Sequence, residues 1–451
     1  MTEYEAFLRA KSQMDAGTGF KPSYMPDFLF DFQGALVDWA VRTGRASIFA
    51  DCGMGKTPMS LVWSQNVVQE TNKPVLIMAP LSVSAQTVEE AEKFGIEASR
   101  CLDGKFGGSK IVVTNYERLH YFDPNDFAGV VCDESSCIKN FDGSRKGEIT
   151  EFMKKVRYRL LCTATAAPND YIELGTSSEA LGYLGYMDML SQFFKNDEGN
   201  LHPAFIGTKF RFKRHAEGHF WKWMASWARA CRKPSDLGFE DRHFVLPPLE
   251  TVEHTVSNDT DIFSGIFTKA LSLEAQRKDT KETLDVRCHK AAELLADTPS
   301  GIAWCHLNQE SELLAKIIPG AVQVSGSDSD ERKEEVFRAF RKGEVRVLVT
   351  KPKIAAFGMN WQHCNRMTYF PTHSFEQYYQ AVRRCWRFGQ KNPVHVDIVT
   401  SDAQAGVLAN LNRKAEACET MFAQLIGHMN NAIHLDRMSK FTKKEEIPSW
   451  L

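Results

Sequence analysis

The sequence predicts two α/β domains, each a parallel β-sheet that helices cover on both faces. Short β-rich runs alternate with helical segments over residues 74–163, and the same alternation returns over residues 302–399. The alternation stops between them, over residues 171–283, which predicts a helical insertion. A chain of 451 residues has room for about two to three domains of ordinary size.

The first domain is predicted to contain an apolar strand at 46–49, followed by a helix at 58–68. Four further strands are predicted at 74–79, 111–114, 130–133 and 158–163. Residues 29–41 precede this series with apolar side chains at helical spacing.

Five apolar runs predict the strands of the second domain, at 302–305, 321–324, 345–350, 367–370 and 394–399. The predicted organisation is then a first domain over 1–170, an insertion over 171–283, a second domain over 284–402 and a helical tail over 403–451.

Residues 50–57, Ala-Asp-Cys-Gly-Met-Gly-Lys-Thr, lie between the strand at 46–49 and the helix at 58–68. A glycine turn at a helix N-terminus brings backbone N–H groups and the positive end of the helix dipole around an anion, here through Gly53 and Gly55. Lys56 can reach the outer phosphates of a nucleoside triphosphate, and the hydroxyl of Thr57 can hold Mg²⁺. An ordinary glycine turn is the alternative.

Asp133 and Glu134 directly follow the apolar strand at 130–133. In hydrolases with such a phosphate loop, an aspartate at a strand end holds Mg²⁺ and the next glutamate orients the attacking water. The next strand ends in the two small hydroxyl residues Thr163 and Thr165. These two residues could also mark nothing more than the change from a strand to a loop.

Residues 380–390 contain Gln380, Arg384, Arg387 and a terminal Gly-Gln pair. Positions 384 and 387 are predicted to be one helical turn apart, so both guanidinium groups share a face and can converge on a phosphate. Arginines supplied from a second domain stabilise a transferring phosphoryl group in this way. A basic surface helix is the alternative, although it leaves the glycine and the glutamines unexplained.

The 55 basic residues nearly cancel the 57 acidic ones, so a polyanion would have to bind a local basic patch. Residues 208–234 are the best candidate, because eight basic side chains are interleaved there with six aromatic ones. A helix whose tryptophans are core and whose charges are merely solvated explains the pattern equally well. The 11 scattered cysteines predict buried reduced thiols, and no apolar run is long enough for a membrane span.

The motifs together resemble the superfamily 2 helicases and translocases of the Swi/Snf-like branch, in a compact DEAD/DEAH-box-related form like those that bacteriophages encode. The resemblance extends from about residue 30 to 402 and rests on the runs at 50–57, 133–134 and 380–390. It implies two RecA-like domains with a basic and aromatic insertion between them. Phe32 and Gln33 resemble the element in which a glutamine contacts adenine, with an ordinary surface glutamine as the alternative.

The resemblance also implies roles for softer motifs. Gly358 and Gln380 would lie at the nucleotide site. Nucleic-acid contacts are implied for Ser82, Asn115, Tyr116, His306 and Asn360.

The implied activity is that of an ATP-dependent DNA translocase or helicase with ATP and Mg²⁺ as cofactors. Its partner is expected to be duplex or branched DNA rather than RNA, with replication or recombination proteins as further candidates. We expect an intracellular monomer, in the bacterial host cytoplasm if the source is viral. The alternative function is an ATP-gated nucleic-acid clamp or assembly subunit that recruits partners without unwinding.

Overall fold

The computed structural model describes residues 18–138, 144–165, 171–196, 210–256, 279–355, 360–401 and 404–441. The chain forms two units, each with its own sheet. The first unit comprises the residues up to Asp241 together with those from Cys418 onward, and the second unit is Arg242–Ala417.

A seven-stranded parallel sheet forms the first unit, in the order β3-β4-β2-β5-β6-β1-β9. Its strands are β1 (Arg45–Ala50), β2 (Val75–Ala79), β3 (Ala98–Arg100), β4 (Ile111–Asn115), β5 (Gly129–Asp133), β6 (Tyr158–Thr163) and β9 (Ala228–Cys231). Every residue of β2, β4, β5 and β6 is buried, as expected for a parallel sheet covered on both faces. The predicted class of the first domain is confirmed.

Seven α-helices belong to the described part of this unit outside the C-terminal segment. They are α1 (Asp31–Thr43), α2 (Lys56–Thr71), α3 (Leu81–Lys93), α4 (Ser144–Lys155), α5 (Leu174–Leu181), α6 (Tyr186–Phe193) and α7 (Glu217–Trp227). Helix α1 buries Phe32, Leu36 and Val37 at helical spacing. It ends at Thr43 and is capped by Gly44, which has φ of +75° and donates its N–H to the Ala40 carbonyl at 2.9 Å. Strand β1 begins at the next residue.

The insertion contains strands that the sequence pattern did not predict. An antiparallel ribbon pairs β7 (Phe194–Asn196) with β8 (Phe210–Phe212), and β9 joins the first sheet beside β1. Strand β9 reads Ala-Arg-Ala-Cys, which is too short and too mixed for a periodicity to appear. Its strand conformation depends on its pairing with β1.

The second unit contains a six-stranded parallel sheet in the order β10-β15-β14-β11-β13-β12. Its strands are β10 (Leu249–Val256), β11 (Gly301–Trp304), β12 (Ala321–Val324), β13 (Val347–Thr350), β14 (Arg366–Tyr369) and β15 (Val394–Ser401). The helices are α8 (Leu284–Leu294), α9 (Asn308–Ile317), α10 (Asp330–Arg341), α11 (Pro352–Ala355) and α12 (Phe375–Val382). The predicted class of the second domain is also confirmed. Strand β10 was missed, because it lies at the sheet edge and most of its side chains are exposed.

A helical tail follows, as predicted, in α13 (Ala405–Phe441). Within the first unit, Phe422 of α13 lies 4.4 Å below the guanidinium of Arg232, and His428 stacks on Trp221. Among the described residues, no helix is both long enough and apolar enough to cross a lipid bilayer. Ten cysteines have described side chains, and all ten are buried without a disulfide.

Candidate nucleotide site and nucleic-acid interface

The predicted phosphate loop connects β1 to α2. Gly53 and Gly55 have φ of +87° and +82°, in the left-handed region that favours glycine. Helix α2 begins at Lys56, so its free N–H groups face the loop. The Nζ of Lys56 donates to the Ala50 carbonyl at 3.0 Å, which places the ammonium over the loop. Thr57 lies in the first turn of α2 and is partly exposed.

Gln33 connects α1 to this loop. Its Oε1 accepts the N–H of Phe30 at 3.1 Å, and its Nε2 donates to the Met54 carbonyl, inside the loop, at 2.9 Å. The side chain is only 4% exposed. The alternative of an ordinary surface glutamine is therefore wrong.

Asp133 and Glu134 follow β5, which lies one strand away from β1 with β6 between them. The phosphate loop, the two carboxylates and the hydroxyl of Thr163 therefore lie at the carboxyl edge of three neighbouring strands. Glu134 has φ of +53°, a strained conformation for a residue other than glycine. Its Oε2 accepts a hydrogen bond from Thr163 Oγ1 at 3.3 Å, and the N–H of Thr165 donates to the same hydroxyl at 3.1 Å.

The electrostatics of Asp133 suit a bound cation. Burial and the neighbouring charge of Glu134 raise the pKa of Asp133 to about 7, against the opposite effect of Lys56. A carboxylate that is costly to ionise inside the protein gains most from an added positive charge. The donor set, a buried carboxylate and a helix N-terminal hydroxyl at Thr57, fits Mg²⁺, which prefers oxygen ligands.

Tyr116 contacts the backbone of the segment that carries Asp133 and Glu134. Its side chain is 5% exposed and its hydroxyl donates to the Asp133 carbonyl. The hydroxyl also lies 3.2 Å from Cys132 Sγ. Its side chain is thus buried against the backbone of Asp133 rather than exposed on the surface. No signal in the sequence indicated this contact, because Tyr116 follows β4 whereas Asp133 ends β5.

Asn115 and Ser82 come from the same edge of the sheet. Asn115 is 3% exposed, and its Nδ2 donates to Glu117 at 2.9 Å. Ser82 is in the first turn of α3, and its side chain is outside the described part of the structure. A nucleic-acid contact of these residues and Tyr116 stays a prediction.

The two arginines of the second unit are not on one helical face. Helix α12 ends at Val382, so the shared-face argument for Arg384 and Arg387 is wrong. Arg384 is 2% exposed and donates to Gln380 twice at 2.9 Å, from Nε to the carbonyl and from Nη2 to Oε1. Arg387 is half-buried. After α12 the chain continues in turns and bends instead of a further helical turn.

The terminal Gly-Gln pair holds this segment together. Gln390 is 7% exposed, and its Nε2 donates to the carbonyls of Cys364 and Cys385 at 3.0 and 3.2 Å. Its Oε1 accepts the N–H groups of Lys391 and Asn392 at 2.9 and 3.0 Å. The sequence indicated Gln390 only as part of a family motif, whereas in the structure its side chain connects four backbone groups.

His306 and Asn360 lie in the second unit. Burial lowers the pKa of His306 to about 4, and its Nε2 donates to the Phe370 carbonyl at 2.7 Å. Asn360 has a buried Oδ1 with no hydrogen-bond partner among the described residues. Gly358 lies outside the described residues. Their nucleotide and nucleic-acid roles stay predictions.

The basic and aromatic insertion divides into two parts. Phe220, Trp221, Trp223 and Trp227 are fully or almost fully buried, so the core interpretation of the tryptophans is correct. The exposed basic side chains are different residues. They are Lys213, Arg214, Lys222 and Lys233. The four buried rings are therefore not a stacking surface for bases, whereas the four cations lie at the surface.

Comparison with known proteins gives one family match. Residues 290–389 match the helicase conserved C-terminal domain, a stretch that begins in α8 and ends at Gly389. This matched stretch lies wholly within the second unit.

Two curated relatives and one solved structure are similar to the chain. Protein p41 of Acyrthosiphon pisum secondary endosymbiont phage 1 is 26% identical over 169 residues, which cover 32% of this chain and 36% of p41. The mouse (Mus musculus) DNA annealing helicase and endonuclease ZRANB3 is 26% identical over 180 residues, 36% of this chain and 17% of that protein. The chain thus spans well under two thirds of either relative. The Sulfolobus solfataricus SWI2/SNF2 ATPase core in complex with dsDNA has a TM-score of 0.42 at 16% identity, over 86% of this chain and 90% of that chain.

The domain match and the mouse relative confirm the resemblance to superfamily 2 helicases of the Swi/Snf-like branch.

Proposed function

We propose, from the helicase conserved C-terminal domain of this chain, that the protein is an ATP-dependent translocase or helicase that acts on DNA. The main supporting observation lies in the first unit. A glycine loop with its lysine, two buried carboxylates and a threonine hydroxyl meet at the carboxyl edge of β1, β5 and β6. This constellation suits hydrolysis of a nucleoside triphosphate.

Each group has a chemical task in the proposal. Lys56 and the N–H groups of the loop neutralise the phosphates, and Glu134 orients the attacking water. Thr57 and Asp133 would hold Mg²⁺, which supplies positive charge to the phosphate oxygens. The strained backbone of Glu134 and its hydrogen bond from Thr163 fix the direction of the carboxylate before substrate arrives.

Arg384 and Arg387 complete the proposal from the second unit. Arg387 is the better candidate for a direct phosphate contact, because Arg384 is buried against Gln380. Arg384 would then act by shaping the segment that presents Arg387. ATP hydrolysis would thereby be linked to motion of one domain relative to the other along the DNA.

DNA is proposed as the polymer for two reasons. The arginine motif ends in Gly389 and Gln390, as in the Swi/Snf-like branch, and the mouse relative is a DNA annealing helicase. The exposed cations of the insertion, such as Lys213 and Arg214, could contact the phosphate backbone.

The test measures ATP hydrolysis with duplex DNA, single-stranded DNA and RNA, using wild type and Glu134→Gln. We expect stimulation by DNA in the wild type and loss of hydrolysis in the variant, with ATP binding retained. Stimulation by RNA alone, or full activity of Glu134→Gln, would overturn the proposal. Strand-displacement and triplex-displacement assays then separate unwinding from translocation, and activity in neither would favour the ATP-gated clamp.

A further inference from the structure

We propose that Phe244 and Trp386 are positioning residues that hold Arg387 in place for its phosphate contact. Both act through the loop that carries Arg387, which follows α12. The proposal rests on the proposed function, since it concerns the arginine that would reach the phosphates. Phe244 lies far earlier in the chain than Arg387 and outside the motif that contains it.

Arg387 lies in a tight turn between Trp386 and Phe388 and is half-buried. Its N–H donates to the Cys385 carbonyl at 3.1 Å, and its own carbonyl accepts the N–H of Gln390 at 3.0 Å. These two bonds are local and fix the course of the backbone. The direction of the Arg387 side chain also depends on what holds the side chains of its two neighbours.

Phe388 is held by an aromatic stack. Its ring lies on the ring of Phe244, with centroids 4.5 Å apart and planes at 15°. Phe244 is 9% exposed, so the stack is largely shielded from water. The Phe388 carbonyl also accepts a hydrogen bond from Gln362 Nε2 at 3.1 Å. Stacked rings stabilise a conformation beyond the area that they bury, so the stack favours one position of the residue next to Arg387.

Trp386, on the other side of Arg387, is held by its indole. Nε1 donates to the Pro247 carbonyl at 2.7 Å. The guanidinium of Arg383 lies 4.6 Å from the centre of the indole ring, and its Nη1 donates to the Trp386 carbonyl at 3.0 Å. Both neighbours of Arg387 are thus anchored to one short stretch, residues 242–248, which we call the entry segment.

The entry segment is a firm support for this loop. The second unit begins with it, at Arg242, and it leads directly into β10. The Pro248 carbonyl accepts the N–H of Val394 at 3.0 Å, and β10 then pairs with β15 along its whole length. A reacting group needs such a support, because a misplacement of about 1 Å can lower a rate on the order of 10²-fold.

Two variants loosen the support to different degrees. Phe244→Ala removes the stack, whereas Trp386→Phe keeps an aromatic ring and removes only the N–H. We expect kcat for DNA-stimulated ATP hydrolysis to fall about tenfold in the first and about threefold in the second. The KM for ATP should stay within about twofold, because the arginine acts on the transition state.

The matched control is Phe94→Ala. Phe94 lies in the first unit, and its ring stacks on Phe28 with centroids 4.6 Å apart and planes at 20°, nearly the geometry of the other stack. The control should keep the kcat of the wild type. Thermal unfolding of the full chain checks that each variant is folded, and Trp386→Phe carries the test if Phe244→Ala is not.

A double-mutant cycle separates positioning from a contribution to stability alone. Phe244→Ala and Trp386→Phe are each combined with Arg387→Ala, and hydrolysis is measured in single turnovers with the protein in excess over ATP. We expect less than about a twofold further loss from either change, because the group that it positions is already gone. A residue that only stabilises the fold would cause the same loss in both backgrounds.

The results for the wild type and Arg387→Ala come first. If the wild type does not hydrolyse ATP, or Arg387→Ala hydrolyses it normally, the proposed function or its arginine fails before any neighbour is changed. If Arg387→Ala is impaired but Phe244→Ala and Trp386→Phe hydrolyse ATP like the wild type, the positioning role is overturned and the proposed function stands. Equal losses with and without Arg387 would also overturn the positioning role.

Discussion

Replacing Arg384 with alanine should destabilise the second unit as well as stop ATP hydrolysis, whereas replacing Arg387 should stop hydrolysis alone. Arg384 is 2% exposed and donates two hydrogen bonds of 2.9 Å to Gln380. Hydrogen bonds from a charged donor contribute roughly 1.5–3 kcal/mol each, so the loss of both should lower the free energy of unfolding by about 3 kcal/mol or more. In a unit of this size 1 kcal/mol shifts Tm by roughly 2–4 °C, which predicts a fall of about 6–12 °C.

Thermal unfolding followed by circular dichroism gives the first readout, and DNA-stimulated ATP hydrolysis gives the second. Arg338, an exposed arginine of α10, provides the control variant Arg338→Ala, which should match the wild type in both. Arg387→Ala should unfold like the control yet lose hydrolysis on the order of 10³-fold. The reasoning is refuted if Arg384→Ala unfolds at the temperature of the control, or if Arg387→Ala hydrolyses ATP normally.

Three further predictions concern buried contacts. Tyr116→Phe removes the hydroxyl that donates a hydrogen bond to the Asp133 carbonyl. In steady-state kinetics kcat for ATP hydrolysis should fall about tenfold with little change in KM. An unchanged kcat would show that this hydrogen bond does not position Asp133. Glu310→Ala breaks the buried ion pair of Glu310 and Arg287, in which both side chains are 1% exposed and the two charged groups are 2.9 Å apart. Denaturant unfolding should show a free energy of unfolding lower by roughly 3–5 kcal/mol. The double variant Arg287→Met/Glu310→Leu should recover only part of that loss, because Oε2 of Glu310 also accepts the N–H groups of His306 and Leu307. No recovery at all would count against the pair. Burial lowers the pKa of His306 from 6.5 to about 4. The contribution of the neutral imidazole to the free energy of unfolding is therefore fully present above pH 6.5 and is lost as pH falls toward 4. Relative to His306→Gln the wild type should lose up to about 3 kcal/mol over that interval, and equal pH dependence of the two proteins would refute the shift.

The strands that the sequence predicted are those with long apolar runs. Strands β5 and β6 were expected at 130–133 and 158–163 and lie at Gly129–Asp133 and Tyr158–Thr163. Runs of β-branched and aliphatic residues between turns are visible without a partner strand, because every residue of these two central strands is buried and therefore apolar or nearly so. Strand β9, with its central arginine, carries no such signal and exists through its pairing with β1.

The site divides in the same way. The glycine turn before α2 and the position of the two carboxylates at the end of β5 could be predicted, because they depend on residues next to one another in the chain. Their roles at a nucleotide stay predictions. The helical face proposed for Arg384 and Arg387 was wrong, because spacing alone does not reveal that α12 ends at Val382. The segment after the helix is held by contacts that spacing does not reveal, including the bonds of Gln390 to Cys364 and Cys385.

By itself, the sequence determined the fold class, the glycine turn before Lys56 and the place of Asp133 and Glu134 at the end of a strand. These features are local, since a strand, a turn and a helix start are set by consecutive residues. Only the tertiary structure decided that Gln33 is bonded to Met54 and that Tyr116 lies under Asp133. Each of those contacts joins residues that are distant in the chain, and their meeting depends on how strands and helices pack against one another.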